Sequence, residues 1–388
     1  MRRGIQVWPL GSRPRLQLDH VSTGAEHCNS RRLFSLEGHI ERTQGTATRY
    51  QLMMPLVGLS LPLTGRVSSV RQFVDELAAE VALAEDVGLD LVVIPEHRQG
   101  PAITYGSPLT LASYILASTR RIQVATGVLV LPAHHPIHVA EAITMLDHLS
   151  DGRFTLGVGA GYQPVDLEPF GRSLADRGRV LEESLVSLKA LLTQEDASFQ
   201  GKFFNFEHVR SRPRPASRPH PSIWMGTWST SGIRRAARLC DGWIADPIRT
   251  VSEVEKMARE YYAAAERAGA AFRTVVVMRE AWVDDNESVA RQNFESAIMP
   301  VFNYYRRRGA LTDPATTFDE LATDRFVIGD ANQCVQSIRD IAARTGADIV
   351  VLQLRHPGGP EHERVLDLIR GLGEALAHSG GAGAGELI

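Results

Sequence analysis

The sequence predicts an α/β chain folded as a single closed (β/α)8 barrel, a TIM barrel. Three observations carry that prediction. From residue 55 onward, short apolar runs alternate strictly with amphipathic stretches, the pattern of a parallel sheet covered by helices. The alternation repeats eight times, the number that closes a barrel rather than leaving an open sheet. No Gly-x-Gly-x-x-Gly follows the first apolar run, which counts against an open dinucleotide-binding sheet.

Val57–Leu61 reads as the first strand. The helix after it opens with Ser69 and Gln72 at capping-box spacing. Its Val70, Phe73, Val74, Leu77 and Val81 recur on one buried face, and Gly88 stops it. Asp90–Pro95 is the second strand; its unbroken Leu91-Val92-Val93-Ile94 marks a strand buried on both faces. A helix over 109–119 leads to a third strand, Ile122–Val128. Pro136 starts the next helix, which runs to Leu149, and Asp151-Gly152 turns the chain into the fourth strand, Phe154–Val158. Leu181, Leu185, Leu188 and Leu192 stripe the fourth helix. The second half repeats the scheme, with strands at Ile223–Gly226, Gly242–Ala245, Thr274–Val283 and Ile349–Leu354. Its helices fall near 230–240, 251–268, 331–345 and 361–378.

The 388 residues suit two ordinary domains or one large barrel with additions. A minimal barrel needs roughly 250 residues, and the surplus falls in two insertions. Residues 195–221, after the fourth helix, are rich in aromatics and prolines and read as a short hairpin with a loop. Residues 284–328, after the seventh strand, hold Phe302, Tyr304, Tyr305 and a run of three arginines, and are a candidate lid over the active-site face. Residues 1–54 have no regular apolar period and read as an extension outside the fold. The barrel is expected over 55–379 and a flexible tail over 380–388.

With 44% apolar and 22% charged residues, the chain has the composition of a soluble globular protein and not of a disordered or fibrous one. Only Lys189, Lys202 and Lys256 of its 42 basic residues are lysines, a bias read as genomic. The net charge of −3 argues against wholesale binding to nucleic acid or anionic membrane. It averages two unlike segments: residues 1–54 carry eight arginines against four acids, which leaves the remainder at −7. Cys28, Cys240 and Cys334 are odd in number and widely spaced, so neither a disulfide framework nor a cysteine zinc site is expected. No apolar stretch approaches the roughly 18 residues of a membrane span, and a cytoplasmic location is expected.

Residues just after barrel strands build the catalytic face. Strand two ends in Glu96-His97-Arg98, and strand three runs through Thr126-Gly127-Val128. Strand four ends in Gly157-Val158-Gly159-Ala160-Gly161-Tyr162, where backbone amides can approach a phosphate. After strand five, Gly226-Thr227-Trp228-Ser229-Thr230-Ser231-Gly232 leads into a helix, whose free N–H groups favour an anion. Arg177 is a further phosphate candidate. Trp282, Tyr305 and His356 are candidates for a substrate pocket. His134, His135 and His138 invite a metal reading, but Pro136 starts a helix between them and no carboxylate completes a ligand set; no metal is expected.

These residues, in this order, resemble the bacterial luciferase-like monooxygenase family. The resemblance rests on Glu96-His97, Thr126-Gly127-Val128, His135-Pro136, the run from Leu146 to Phe154, Phe170-Gly171, His220-Pro221, Asp241-Gly242-Trp243 and Ile328-Gly329. It spans residues 55 to about 376. The resemblance implies reduced FMN delivered by a separate flavin reductase or, in one large branch, a reduced deazaflavin. It implies an isoalloxazine ring resting on a bulge at Gly127-Val128, often a non-prolyl cis peptide. The phosphate would sit between the Gly159–Tyr162 turn and the Trp228-Ser229-Thr230 helix start, with Glu96, Thr126, Gly161, Gly226 and Arg177 around the cofactor. His97 matches the family's active-site histidine and would exchange a proton with a flavin 4a-peroxide formed from O2. The expected function is therefore oxygenation of a small organic substrate by a homodimeric enzyme. The alternatives are hydride transfer to or from a deazaflavin, and a flavin-binding protein without catalysis.

Overall fold

The computed structural model describes residues 54–381, apart from 66, 98–104, 271–272, 313 and 316. Nearly all of the expected extension and tail therefore lies outside the described residues.

Strand β1 (Leu56–Ser60) is followed by helix α1 (Val70–Asp86), capped by the Ser69 hydroxyl, which accepts from the Gln72 N–H. Next come β2 (Leu91–Ile94), α2 (Pro108–Ser118), β3 (Gln123–Thr126), a two-residue β4 (Leu129–Val130) and α3 (Pro136–Ser150). Then follow β5 (Phe154–Gly159), α4 (Arg177–Thr193), the hairpin β6 (Ala197–Gln200) with β7 (Asn205–Val209), β8 (Ile223–Gly226), α5 (Thr230–Leu239) and β9 (Gly242–Ala245). The chain continues through α6 (Val251–Arg267), β10 (Thr274–Val283), α7 (Glu287–Arg307), α8 (Phe318–Ala322), β11 (Val327–Gly329), α9 (Ala331–Thr345), β12 (Ile349–Gln353) and α10 (His362–Gly381).

Eight strands pair in parallel in the order β1, β2, β3, β5, β8, β9, β10, β12, and β12 pairs back to β1. That ring is the expected closed barrel. Its interior is plugged by Leu91, Val93, Trp224, Ile244, Met278 and Val351, while the opposite face of each strand packs against the helices. Each large side chain so buried contributes about 1.5–3 kcal/mol.

One expectation is corrected. The third strand does not run unbroken to Val128: it stops at Thr126 and resumes as β4, which pairs with β5. At the end of the second insertion, β11 joins the far half of β10, with Trp282 opposite Ile328. A separate aromatic core of Trp282, Phe294, Phe302 and Phe318 anchors α7 and α8 to that edge. The first insertion is the expected hairpin.

Candidate active site

The break in strand three shapes the mouth of the barrel. The Gly127–Val128 peptide is cis, as the resemblance implied. The Val128 side chain lies against Gly159 and Gly226: a Cβ built on either would stand 2.4 or 2.6 Å from its methyl carbons. Close approach of Val128 thus explains both glycines without reference to a phosphate. Gly161 has φ +75° and turns the chain after β5.

Glu96, expected beside the cofactor, is 5% exposed and holds the bulge. Its carboxylate accepts from the Val130 N–H at 2.6 Å and lies 3.3 Å from His134 Nε2. Thr126 also holds backbone. Its hydroxyl is fully buried, donates to the Gly157 carbonyl at 2.7 Å and accepts from the Gly157 N–H at 2.9 Å, which ties β3 to β5. His135 accepts from the Ile137 N–H and packs its ring on Phe204.

His97 stands past the end of β2, partly exposed. Its Nδ1 has no hydrogen-bond partner among the described residues, and Asp166 Oδ2 lies 3.9 Å away. Asp166 sits in a single 3-10 turn after β5 and is 1% exposed. No periodicity marked it in the sequence. The His97 ring meets the edge of Tyr162 with centroids 5.7 Å apart, and Tyr162 meets Trp228 at 5.9 Å. Burial pushes the Tyr162 phenol well above its usual value, so it stays protonated and is a donor. Arg249 stacks over Trp228 at 5.2 Å.

Beside this cluster lies a cavity of about 250 Å³ lined by Arg177, Gly226, Thr227, Ser229, Ser231 and Arg235, among others. It opens on the start of α5, where the Ser229 hydroxyl accepts from the Gly232 N–H. Thr230 is the first residue of that helix. A helix N-terminus, three hydroxyls and two guanidinium groups line the cavity, a set whose chemistry suits an anion. Arg177 donates to the Leu174 carbonyl at 2.5 Å, and Arg235 to Glu182 at 2.8 Å, so both are fixed at its rim. Arg235 was not singled out from sequence; its spacing from Ser229 along the helix start was the available signal, whereas Ser231 lies in the helix-start cluster read from the sequence.

Of the expected pocket residues, Tyr305 on α7 borders the mouth beside Tyr162. Trp282 and His356 are buried against each other. Their rings stack on each other with centroids 6.1 Å apart, Phe294 packs on both, and they are 6% and 3% exposed. Cys240 and Cys334 are buried, which pushes both thiols up to about 12. No group of three or more His, Cys, Asp or Glu suited to a metal occurs among the described residues.

A family model described as luciferase-like monooxygenase matches residues 57–348. The chain belongs to that family. This luciferase-like monooxygenase is 31% identical over 279 residues to 4-hydroxyprotoasukamycin monooxygenase of Streptomyces nodosus subsp. asukaensis, covering 68% of this chain and 75% of the relative. Three solved structures share its fold. A monooxygenase from Streptomyces bottropensis superposes with a TM-score of 0.75 at 24% identity, over 83% of this chain and 98% of that one. The oxygenating component of 3,6-diketocamphane monooxygenase from Pseudomonas putida, solved with FMN, gives 0.68 at 20% identity, over 83% and 96%. An F420-dependent secondary alcohol dehydrogenase reaches the same TM-score at 16% identity, over 84% and 99%. The protein is an oxidoreductase of the luciferase-like monooxygenase family.

Proposed function

We propose that this enzyme uses reduced FMN and O2 to place one oxygen atom on a small organic substrate. The observation that carries the reading is the anion cavity at the start of α5, directly beside the Val128 bulge and the His97–Tyr162–Trp228 cluster. The residues present fit FMN. Arg177, Arg235, Ser229, Ser231 and the first N–H groups of α5 would hold the phosphate, and Gly127-Val128 would support the ring. Bound reduced FMN supplies the two electrons that activate O2.

The protein's own part is positional and protic. His97 holds or moves a proton at its ring nitrogens, with Asp166 facing Nδ1 and Tyr162 limiting the ring's tilt. Tyr162, Trp228 and Tyr305 exclude water from the mouth. A separate flavin reductase in the cytoplasm would supply the reduced cofactor. A homodimer is favoured by exposed Tyr114, Met145 and Leu149 on neighbouring helices α2 and α3.

The fold likeness to the F420-dependent dehydrogenase supports a second reading, hydride exchange with a reduced deazaflavin. Anaerobic titration with each reduced cofactor, followed by admission of air, separates the two. The monooxygenase reading expects tight FMN binding and a transient oxygenated-flavin absorbance. Binding of the deazaflavin alone would sink it. Arg235→Ala is expected to weaken FMN binding at least tenfold, the usual scale for losing one charge-assisted phosphate contact.

A further inference from the structure

The barrel interior is apolar along most of its depth and changes character at the mouth. Inward positions on β10 run Val276, Met278, then Glu280, and on β12 Ile349, Val351, then Gln353. Glu280 and Gln353 are neighbours in the ladder, and the Ser60 hydroxyl at the end of β1 donates to Gln353 at 3.4 Å. In the ring of eight strands, β10 stands across from β3. The sulfur of Met278 reaches to 3.9 Å from where a Gly127 Cβ would be. Glu280, one layer higher, therefore faces the Val128 bulge across the mouth.

Glu280 is 1% exposed, and its Oε2 accepts no hydrogen bond among the described residues. The nearest group is His356 Nδ1 at 3.2 Å. His356 Nε2 lies 3.2 Å from the Ala281 carbonyl, which assigns a proton to Nε2. His356 Nδ1 and Glu280 Oε2 face each other, yet neither atom has a hydrogen-bond partner among the described residues. Buried carboxylates are normally met by donors, because desolvation is otherwise uncompensated. Tyr305 lies near both Glu280 and Tyr162. Tyr162 Oη has no hydrogen-bond partner among the described residues. Burial, then the nearby charges of Glu280 and Asp246, raises the Tyr305 phenol far above its usual value.

The geometry points to Glu280 as the specificity-determining acceptor for a hydroxyl or amine carried by an otherwise aromatic or alicyclic substrate. His356 is its positioning residue. The inference rests on the monooxygenase reading, since it places the substrate across the mouth from the FMN site. Apolar Met278 and Val128 and the rings of Tyr162 and Trp228 would take the body of such a compound, and the Glu280 carboxylate its donor. A carboxylate kept only to pair with His356 makes no such selection.

The test uses the full chain and two probes of nearly equal shape, 2-naphthol and 2-methoxynaphthalene, with affinities measured by calorimetry. A bound donor opposite a buried carboxylate is expected to favour 2-naphthol by about tenfold or more. Glu280→Leu is expected to erase that preference, and Glu280→Gln, which keeps an acceptor oxygen, to retain part of it. Circular dichroism of both variants checks the fold. Equal binding of the two probes, binding of neither, or a preference that survives Glu280→Leu overturns the assignment. FMN titration of the same wild-type sample keeps the two readings apart. FMN binding without naphthol preference removes only this inference, and naphthol preference without FMN binding removes only the cofactor assignment.

Discussion

At the scale of single residues, the site divides into side chains with spare hydrogen-bonding capacity and side chains already committed. Thr126 spends its hydroxyl on Gly157, and Glu96 serves the Val130 amide, so both act through the backbone they hold. His97 keeps Nδ1 available beside Asp166. His97→Ala is therefore expected to leave FMN affinity within about twofold while the rate at which bound reduced FMN is reoxidised in air changes about a hundredfold, the usual scale of general acid–base participation. Asp166→Asn should give a smaller change and move the pH profile of that rate. Stopped-flow absorbance reads both, and an unchanged rate in His97→Ala would place the proton chemistry elsewhere. Gly226→Ala tests the packing account of the bulge. The added carbon would meet a Val128 methyl at 2.6 Å, and valine is stiff at χ1. Overpacking of this kind costs about 1–3 kcal/mol, read from urea unfolding.

At the scale of elements, the end of β12 is fastened to α1 and α10 by a buried ionic network. Arg355 donates to Glu80 at 2.6 Å and to Glu76 at 2.5 Å, and His362 Nδ1 lies 2.9 Å from Glu80. Glu80 is 1% exposed, so Arg355→Met, which strands its charge, should cost about 3–5 kcal/mol. The network also sets a pH dependence. The hydrogen bond to Glu80 raises the His362 pKa against the opposing effect of burial. A raised folded value means that its stabilisation is complete below about pH 6.5, the ordinary value, and is lost as pH rises through the folded value. Glu76 behaves oppositely. Burial raises its pKa, the hydrogen bonds from Arg355 and Gln72 more than offset that, and its contribution is lost as pH falls through the lowered value. The urea midpoint should therefore fall as pH rises from about 6.5 through the folded value in the wild type, and fall less in His362→Asn. Equal slopes in the two proteins would exclude His362 as the titrating group.

At the scale of the molecule, what was legible in the sequence follows from what each signal measures. Apolar periodicity reports burial, so it placed the eight barrel strands and the helices that cover them. Caps report helix starts, so Ser69 and Ser229 were visible before the fold was. Asp166 was not, because a single 3-10 turn has no period to detect. Glu280 was hidden inside an apolar strand, where only the two-residue alternation, counted once the barrel face is known, separates it from Arg279. The packing of Trp282 and His356 was not legible either: the strand β11 that joins β10 brings the aromatic core of α7 and α8 over them. The same reasoning about burial bears on assembly. Leu149 is 67% exposed, Met145 45% and Tyr114 42%, all on helices α2 and α3, which pack side by side. Large apolar side chains grouped on adjoining helices mark an interface, and a twofold axis lets one such face cover its own copy. Sedimentation at micromolar concentration is expected to show a dimer. Met145→Glu with Leu149→Glu should convert it to a monomer that keeps its circular dichroism spectrum, since neither side chain supports the barrel core. A wild-type monomer, or a dimer that survives both charges, would move the interface to another face.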